Sequence, residues 1–201
     1  MASEVDISNL ALSRLGDSAT ISSIDPVEGS AQAEHCDMFY PIARDSLLEM
    51  YDWNFATRRA ALARLATGSP NWRFSYAAPK DMLRALAVHP PRAQYNALTQ
   101  PFEVEADAHG SLVILTNQED ADLRYTARIQ DTTKFSPLFV DALAWLLASY
   151  LAGPVIKGDA GAAMVKSCLQ SFFVVLSNAR VSDANQRNLK PEHVPEWIAA
   201  R

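Results

Sequence analysis

A chain of 201 residues that is 49% hydrophobic and 20% charged can bury a core of its own, which excludes wholesale disorder and removes the need for a metal or disulfide staple. Its 23 acidic and 18 basic residues leave a net charge of -5, the wrong sign for a surface that grips nucleic acid through its phosphates. Cys36 and Cys168 are the only two cysteines, and both fall in apolar, helix-like stretches. They are expected as reduced core thiols, since their number and spacing do not suit a zinc site.

The N-terminus, Met1 to Asp6, has neither the basic start nor the apolar run of a signal peptide, so a cytoplasmic chain is expected. A first helix is predicted from about Ser3 to Leu15. Ser3 caps it with Asp6 three residues on, Ile7, Leu10, Ala11 and Leu15 form one stripe, and Gly16 stops it. A second helix is predicted from Asp25-Pro26-Val27-Glu28 to about Tyr51. Asp25 is its cap, Pro26 its first residue, and Glu28 completes a capping box. From Asp52 to Val88 the pattern breaks into extended segments and turns around Gly68-Ser69-Pro70 and Pro79, with one helical turn near Ala60.

From Leu83 to Ile129 the period shifts toward two. Phe102, Val104 and Ala106 alternate with Glu103 and Glu105, Leu112 to Leu115 is a short strand, and Leu123, Tyr125, Ala127 and Ile129 alternate with Asp122, Arg124, Thr126 and Arg128. This predicts a meander with one wet face. Ser136-Pro137 opens a third helix that Gly153-Pro154 closes. It is apolar nearly all round and therefore central. Asp141 and Gly153-Pro154 make its run too short and broken for a bilayer, so no membrane anchor is expected. Asp159 caps a fourth helix carrying Val165, Leu169, Phe172, Phe173 and Leu176 to about Arg187. The remainder, with Pro191, Pro195 and the pair Trp197 and Ile198, reads as a docking tail, because tryptophan is a common interface anchor, with a tail folded back onto its own chain as the alternative.

The predicted fold class is mainly α with a β insertion: a bundle of about four helices and a small antiparallel strand-rich region projecting from it. The predicted divisions are a helical core first half at 1–56, a strand-rich insertion at 57–134, a helical core second half at 135–187 and the C-terminal docking tail at 188–201.

Chemistry finds little to work with. His35, His89, His109 and His193 share no metal-ligand spacing, and His109 and His193 are expected on the surface. There is no Gly-x-Ser-x-Gly elbow. Gly158-Asp159-Ala160-Gly161 lacks the Lys-Ser/Thr of a phosphate loop and reads as a helix-helix turn. The carboxylate pairs Asp120/Asp122 and Glu103/Glu105 read as a solvated strand edge. No catalytic, metal or cofactor-binding residue is assigned, no cofactor is expected, and the chain is read as not an enzyme. Arg58, Arg59 and Arg64 form the densest basic cluster, flanked by Trp53, Phe55, Trp72 and Phe74. Pairing of these arginines across a subunit boundary is favoured over stacking on single-stranded nucleic acid. Arg58, Arg59, Trp197 and Ile198 are therefore candidate partner contacts.

An ordered series of motifs then carries a resemblance. It begins with Asn9-x-Ala11-Leu12-x-x-Leu15-Gly16, Ile21-Ser22-Ser23-Ile24-Asp25 and Tyr40-Pro41-x-x-Arg44-Asp45-x-Leu47-Leu48. It continues with Trp53-Asn54-Phe55-Ala56-x-x-Arg59-Ala60-x-Leu62 and Tyr76-x-x-Pro79-x-Asp81-x-x-Arg84. Phe135-x-x-x-Phe139-x-x-Ala142-Leu143-Ala144 follows, and Trp197 and Arg201 close the series. Each motif alone is common; their order and spacing, over nearly the whole chain, resemble the tail tubular protein A family, the head-to-tail adaptors of short-tailed phages. The resemblance implies a structural protein of the virion neck, assembled in the host cytoplasm as a ring of twelve copies of itself. It implies a portal protein above, a tail nozzle or tail fibre protein below, and DNA passing through the channel without specific binding. It adds Arg201 to the candidate contacts. The rival readings are a connector or head-completion protein of another tailed-phage type, a virion-associated hydrolase, and a bacterial regulator.

Overall fold

A computed structural model describes residues 2–18, 20–66, 69–93 and 98–186. Helix α1, Glu4–Arg14, starts where its cap dictates. The Ser3 hydroxyl accepts the Asp6 amide at 3.1 Å and the Asp6 carboxylate accepts the Ser3 amide at 2.8 Å. Gly16, at φ +76°, ends it.

The second helix starts later than expected. Helix α2 is Ala31–Glu49, capped by Ser30, whose hydroxyl accepts the Ala33 amide at 3.2 Å. Glu28 does not complete a box with Asp25. Its carboxylate accepts the Ser22 amide at 2.7 Å, the Ser22 hydroxyl, and the Ser30 hydroxyl at 2.8 Å, which ties residues 22–30 into a turn ahead of the helix. The Ser22 hydroxyl, the Ser22 amide and then the Ser30 hydroxyl hold the Glu28 carboxyl down at about 2, against an ordinary 4.5. A carboxyl depressed on folding contributes fully above pH 4.5 and loses that contribution as pH falls through 2. An NMR titration should place the Glu28 midpoint near 2, with the Ser22 amide moving on the same curve. A midpoint at 4.5 would break the turn as described.

Seven strands follow among the described residues: β1 Thr57–Ala61, β2 Ala63–Arg64, β3 Phe74–Ala77, β4 Met82–His89, β5 Phe102–Ala106, β6 Leu112–Thr116 and β7 Asp122–Ala127. They form a three-stranded sheet in the order β1-β7-β4 and a four-stranded sheet in the order β2-β3-β6-β5, antiparallel throughout. This corrects the expected fold class. The protein is a mixed α/β fold, not a mainly helical one with a small strand-rich projection. The helical turn expected near Ala60 is strand β1. The sheets also share the helices' core: Tyr76, Val88, Ile114, Leu123 and Tyr125 belong to one buried cluster with Leu12, Leu47, Trp53 and Phe139.

Helix α3, Pro137–Ile156, begins at Ser136, whose hydroxyl accepts the Phe139 amide at 3.3 Å. It runs through Gly153-Pro154 to Ile156, although Pro154 has no amide to donate to the Tyr150 carbonyl. Helix α4, Gly158–Ala184, follows at once. Its cap position is Lys157, which makes no side-chain capping bond, and Asp159 sits in the first turn instead. Helix α3 is central and packs on α1, α2 and α4. A Cβ on Gly161 would lie 3.1 Å from the Ala152 carbonyl oxygen, so the two long helices meet closely where glycine permits it. Asp141 does not break α3; Arg14 of α1 donates to its carbonyl at 2.9 Å and to its carboxylate, and stacks on Trp145 at 4.2 Å. Contrary to expectation, α3 reaches the length and hydropathy of a membrane span, and so does α4. The two differ in what covers them. Helix α3 spends its apolar residues on the core, and α4 leaves several of its own outside.

Candidate interaction surfaces

Helix α4 packs on α3 through Gly161, Cys168, Phe172, Leu176 and Ala179. On its outer side Phe173 is 61% exposed, Val174 65% and Val181 58%. Between Ser167 and Ser182 the outward positions carry no charge: Gln170, Ser177 and Asn178 separate the apolar residues. The one charged side chain in that stretch, Arg180, turns inward. It donates to the Met50 carbonyl at 3.0 Å and lies 5.6 Å over the Tyr51 ring. Asp183, just beyond, is buried and accepts the Asn54 amide. A solvent-facing helix normally alternates charges along its outer side. Four turns without one, about 24 Å long at 1.5 Å per residue, have the composition of an interface centre.

A second apolar surface lies on α2, where Met38 and Ile42 are 59% and 52% exposed. Exposed Glu34, Asp37 and Glu49 surround them, so this patch has an acidic rim that α4 lacks. Helices α2 and α4 both rest on α3.

The structure separates the arginines that sequence placed together. On a strand neighbours point to opposite faces. Arg58 donates to Asp81 at 2.6 Å, and the Tyr125 hydroxyl donates to the same carboxylate at 3.1 Å. Arg59 points the other way, directly opposite Arg124 of β7. Arg64 lies 4.6 Å over the Phe74 ring, with Glu119 at 3.7 Å. Trp53 and Phe55 help to lock the core. Trp53 is fully buried, with Phe139 at 5.0 Å, and Phe55 is also 5.0 Å from Phe139. Trp197, Ile198 and Arg201, and the whole tail from Asn188, lie outside the described residues.

The groups with chemical potential are quiet. Cys36 and Cys168 are buried and free, and burial pushes both thiols up, Cys36 to about 11, away from reactive thiolates. His89, which sequence left without a role, is buried in β4. Among the described residues no group of three His, Cys, Asp or Glu side chains could hold a metal ion. An open hollow of about 300 Å³ between Ser75, Glu105, His109 and Leu115 contains two carboxylates, Glu105 and Asp107, and the His109 imidazole. Its Asp107 is taken up by the His109 and Ser111 amides, both at 2.8 Å, which close a turn. In comparisons with known proteins, no family model matches the chain and no curated protein matches it.

Sequence reasoning missed the α4 surface although a signal was present. No charged residue occurs from Ser167 to Ala179. Only the packing tells that one side of that run faces out. Arg124 as the partner of Arg59 needed the strand register.

Proposed function

We propose that the chain is a structural subunit that assembles head-to-tail with copies of itself into a ring, seated between the portal and the tail of a phage. The observation that carries this reading is the pair of unlike exposed apolar surfaces on the helical side, the charge-free face of α4 and the acid-rimmed Met38–Ile42 patch of α2. A ring needs two different, complementary surfaces on each copy, set at a fixed rotation; a self-matching patch would stop at a dimer. The motif order described above supports the phage setting, with twelve copies, a portal above and a tail nozzle or fibre protein below. The ring extends the DNA channel and gives the tail a platform. The net charge of -5 suits a channel through which DNA passes without sticking. No bond is made or broken in this role.

Native mass spectrometry and electron microscopy of the purified chain, alone and with purified portal, test the reading. The expected result is a ring, formed alone or on the portal. A chain that stays monomeric in both samples would sink it. The tail from Asn188 to Arg201 is the proposed portal anchor. Removing residues 188–201 should abolish portal attachment and leave the melting curve of the rest unchanged. Normal portal affinity after truncation would remove the tail from the mechanism.

A further inference from the structure

The outer face of the three-stranded sheet is built for something the described residues do not supply. The register sets Arg59 of β1 opposite Arg124 of β7, and Arg124 opposite Ala87 of β4. One step along the same face Asp122 stands opposite His89, and one step the other way Thr126 stands between Thr57 and Arg84. Like charges directly opposite on paired strands destabilise the pair. Here neither guanidinium is relieved: Arg84 on this face pairs with Asp52, but Arg59 and Arg124 make no ion pair among the described residues. Asp122 of this face accepts the Arg92 amide at 3.1 Å.

The neighbours are unsatisfied too. Both ring nitrogens of His89 and the hydroxyl of Thr126 are buried without a hydrogen-bond partner among the described residues. Leaving such groups unpaired is costly, and native structures rarely do it without a reason. Burial, then the positive charges of Arg59 and Arg124, push the His89 imidazole below its ordinary value, which places it within the field of both arginines. Donor capacity is concentrated and unspent at one spot of an acidic protein.

We propose that Arg59 and Arg124 form a carboxylate-binding site, and that its ligand is an acidic strand of a second copy of this chain, the exposed edge strand β5 with Glu103 and Glu105. Guanidinium forks match carboxylates in shape as well as charge. Carboxylates at alternate positions of a strand sit about 6.6–6.8 Å apart, and opposed arginines start about 4.5–5.5 Å apart at Cβ, so two flexible side chains span the difference and each takes one carboxylate. Strand β5 is the outer strand of its sheet, and Glu103, Val104 and Glu105 are all exposed. Glu103 receives one bond, from the Trp72 indole at 3.1 Å, and keeps its second oxygen. DNA phosphate is the poorer ligand: this face also carries Asp122 and Asp52, and duplex binding needs a longer basic track. The identity of the partner rests on the self-assembly reading; the site itself does not.

The test uses the full chain, isotope-labelled, and the peptide acetyl-Phe-Glu-Val-Glu-Ala-amide, followed through the Arg Nε–H resonances. Arg59 and Arg124 should shift together and saturate, and the same peptide with Gln for both Glu should leave them still. R124Q should weaken binding about tenfold or more, the loss of a charge-assisted pair. R59Q, at an exposed position, should do the same and keeps the test informative should R124Q misfold. Unmoved arginine resonances, equal binding of the Gln peptide, or unchanged affinity in R59Q would overturn the site. A duplex oligonucleotide that saturates these resonances ahead of the peptide would overturn the assignment to a protein carboxylate. Peptide binding by a chain that never forms rings would sink the ring reading and leave the site standing; rings whose arginines ignore the peptide would do the reverse.

Discussion

Trp53→Ala should lower the free energy of unfolding by about 3–5 kcal/mol, the range for removing a large aromatic from a packed core. The indole is fully buried. It stands edge-on to Phe139 at 5.0 Å and to Tyr51 at 5.1 Å, with Phe55 at 6.1 Å, so it joins the end of α2, the first turn of the strand region and the central helix α3. Its N–H donates to the Leu47 carbonyl at 2.9 Å, in the last turn of α2, where no helical amide follows to take that role unaided. Trp53→Phe separates the two contributions. It keeps an aromatic ring against Phe139 and leaves the Leu47 carbonyl without the indole, a loss of about 1–3 kcal/mol. Urea unfolding measures both. The midpoint should fall in the order wild type, Trp53→Phe, Trp53→Ala, with an unchanged slope. A Trp53→Ala midpoint equal to wild type would mean the sheets and helices do not share the core described above.

What could be read in the sequence was what is decided locally. The caps of α1 and α3 involve only Ser3 with Asp6 and Ser136 with Phe139, so the residues themselves announce them. Strands β5, β6 and β7 show their alternation or apolar run directly. The start of α2 failed because Asp25-Pro26-Val27-Glu28 satisfies the capping pattern, yet Glu28 is held by Ser22 and Ser30, an arrangement invisible to a pattern of four. Strand β1 failed because its pairing partner β7 lies far along the chain, and β4 was expected only as part of an extended stretch without bounds, because it breaks register at Met82/Arg84 and again at Ala85/Ala87. A bulged strand buried on both sides shows no clean period. The same blindness spoiled the arginine cluster: once β1 is a strand, Arg58 and Arg59 must part, one to Asp81 and one to Arg124. And apolarity on α4 could not say which side faced in, because that depends on α3 being its one extensive neighbour.

Phe173→Asp on α4 should abolish self-association and leave the fold's stability within about 0.5 kcal/mol, since exposed positions tolerate a charge in the free chain. In an assembled ring the same carboxylate is buried unpaired, which costs about 2–5 kcal/mol per contact and weakens each junction by tens to thousands of fold. Ile42→Asp on α2 should do the same from the other side, and there the surrounding Glu34, Asp37 and Glu49 add repulsion. The two variants together decide the geometry. A Phe173→Asp copy has lost its α4 surface and kept α2; an Ile42→Asp copy has lost α2 and kept α4. Each alone should sediment as a monomer at concentrations where the wild type assembles. Mixed, they retain one intact pair of unlike surfaces and should form heterodimers that stop at two, because both outer ends are blocked. A self-matching α4 contact predicts something else: Ile42→Asp would dimerise unaided, and adding Phe173→Asp would change nothing. Analytical ultracentrifugation of the two variants, separately and at equal ratio, distinguishes these outcomes, and a mixture that remains monomeric would remove α4 and α2 as the two halves of one junction.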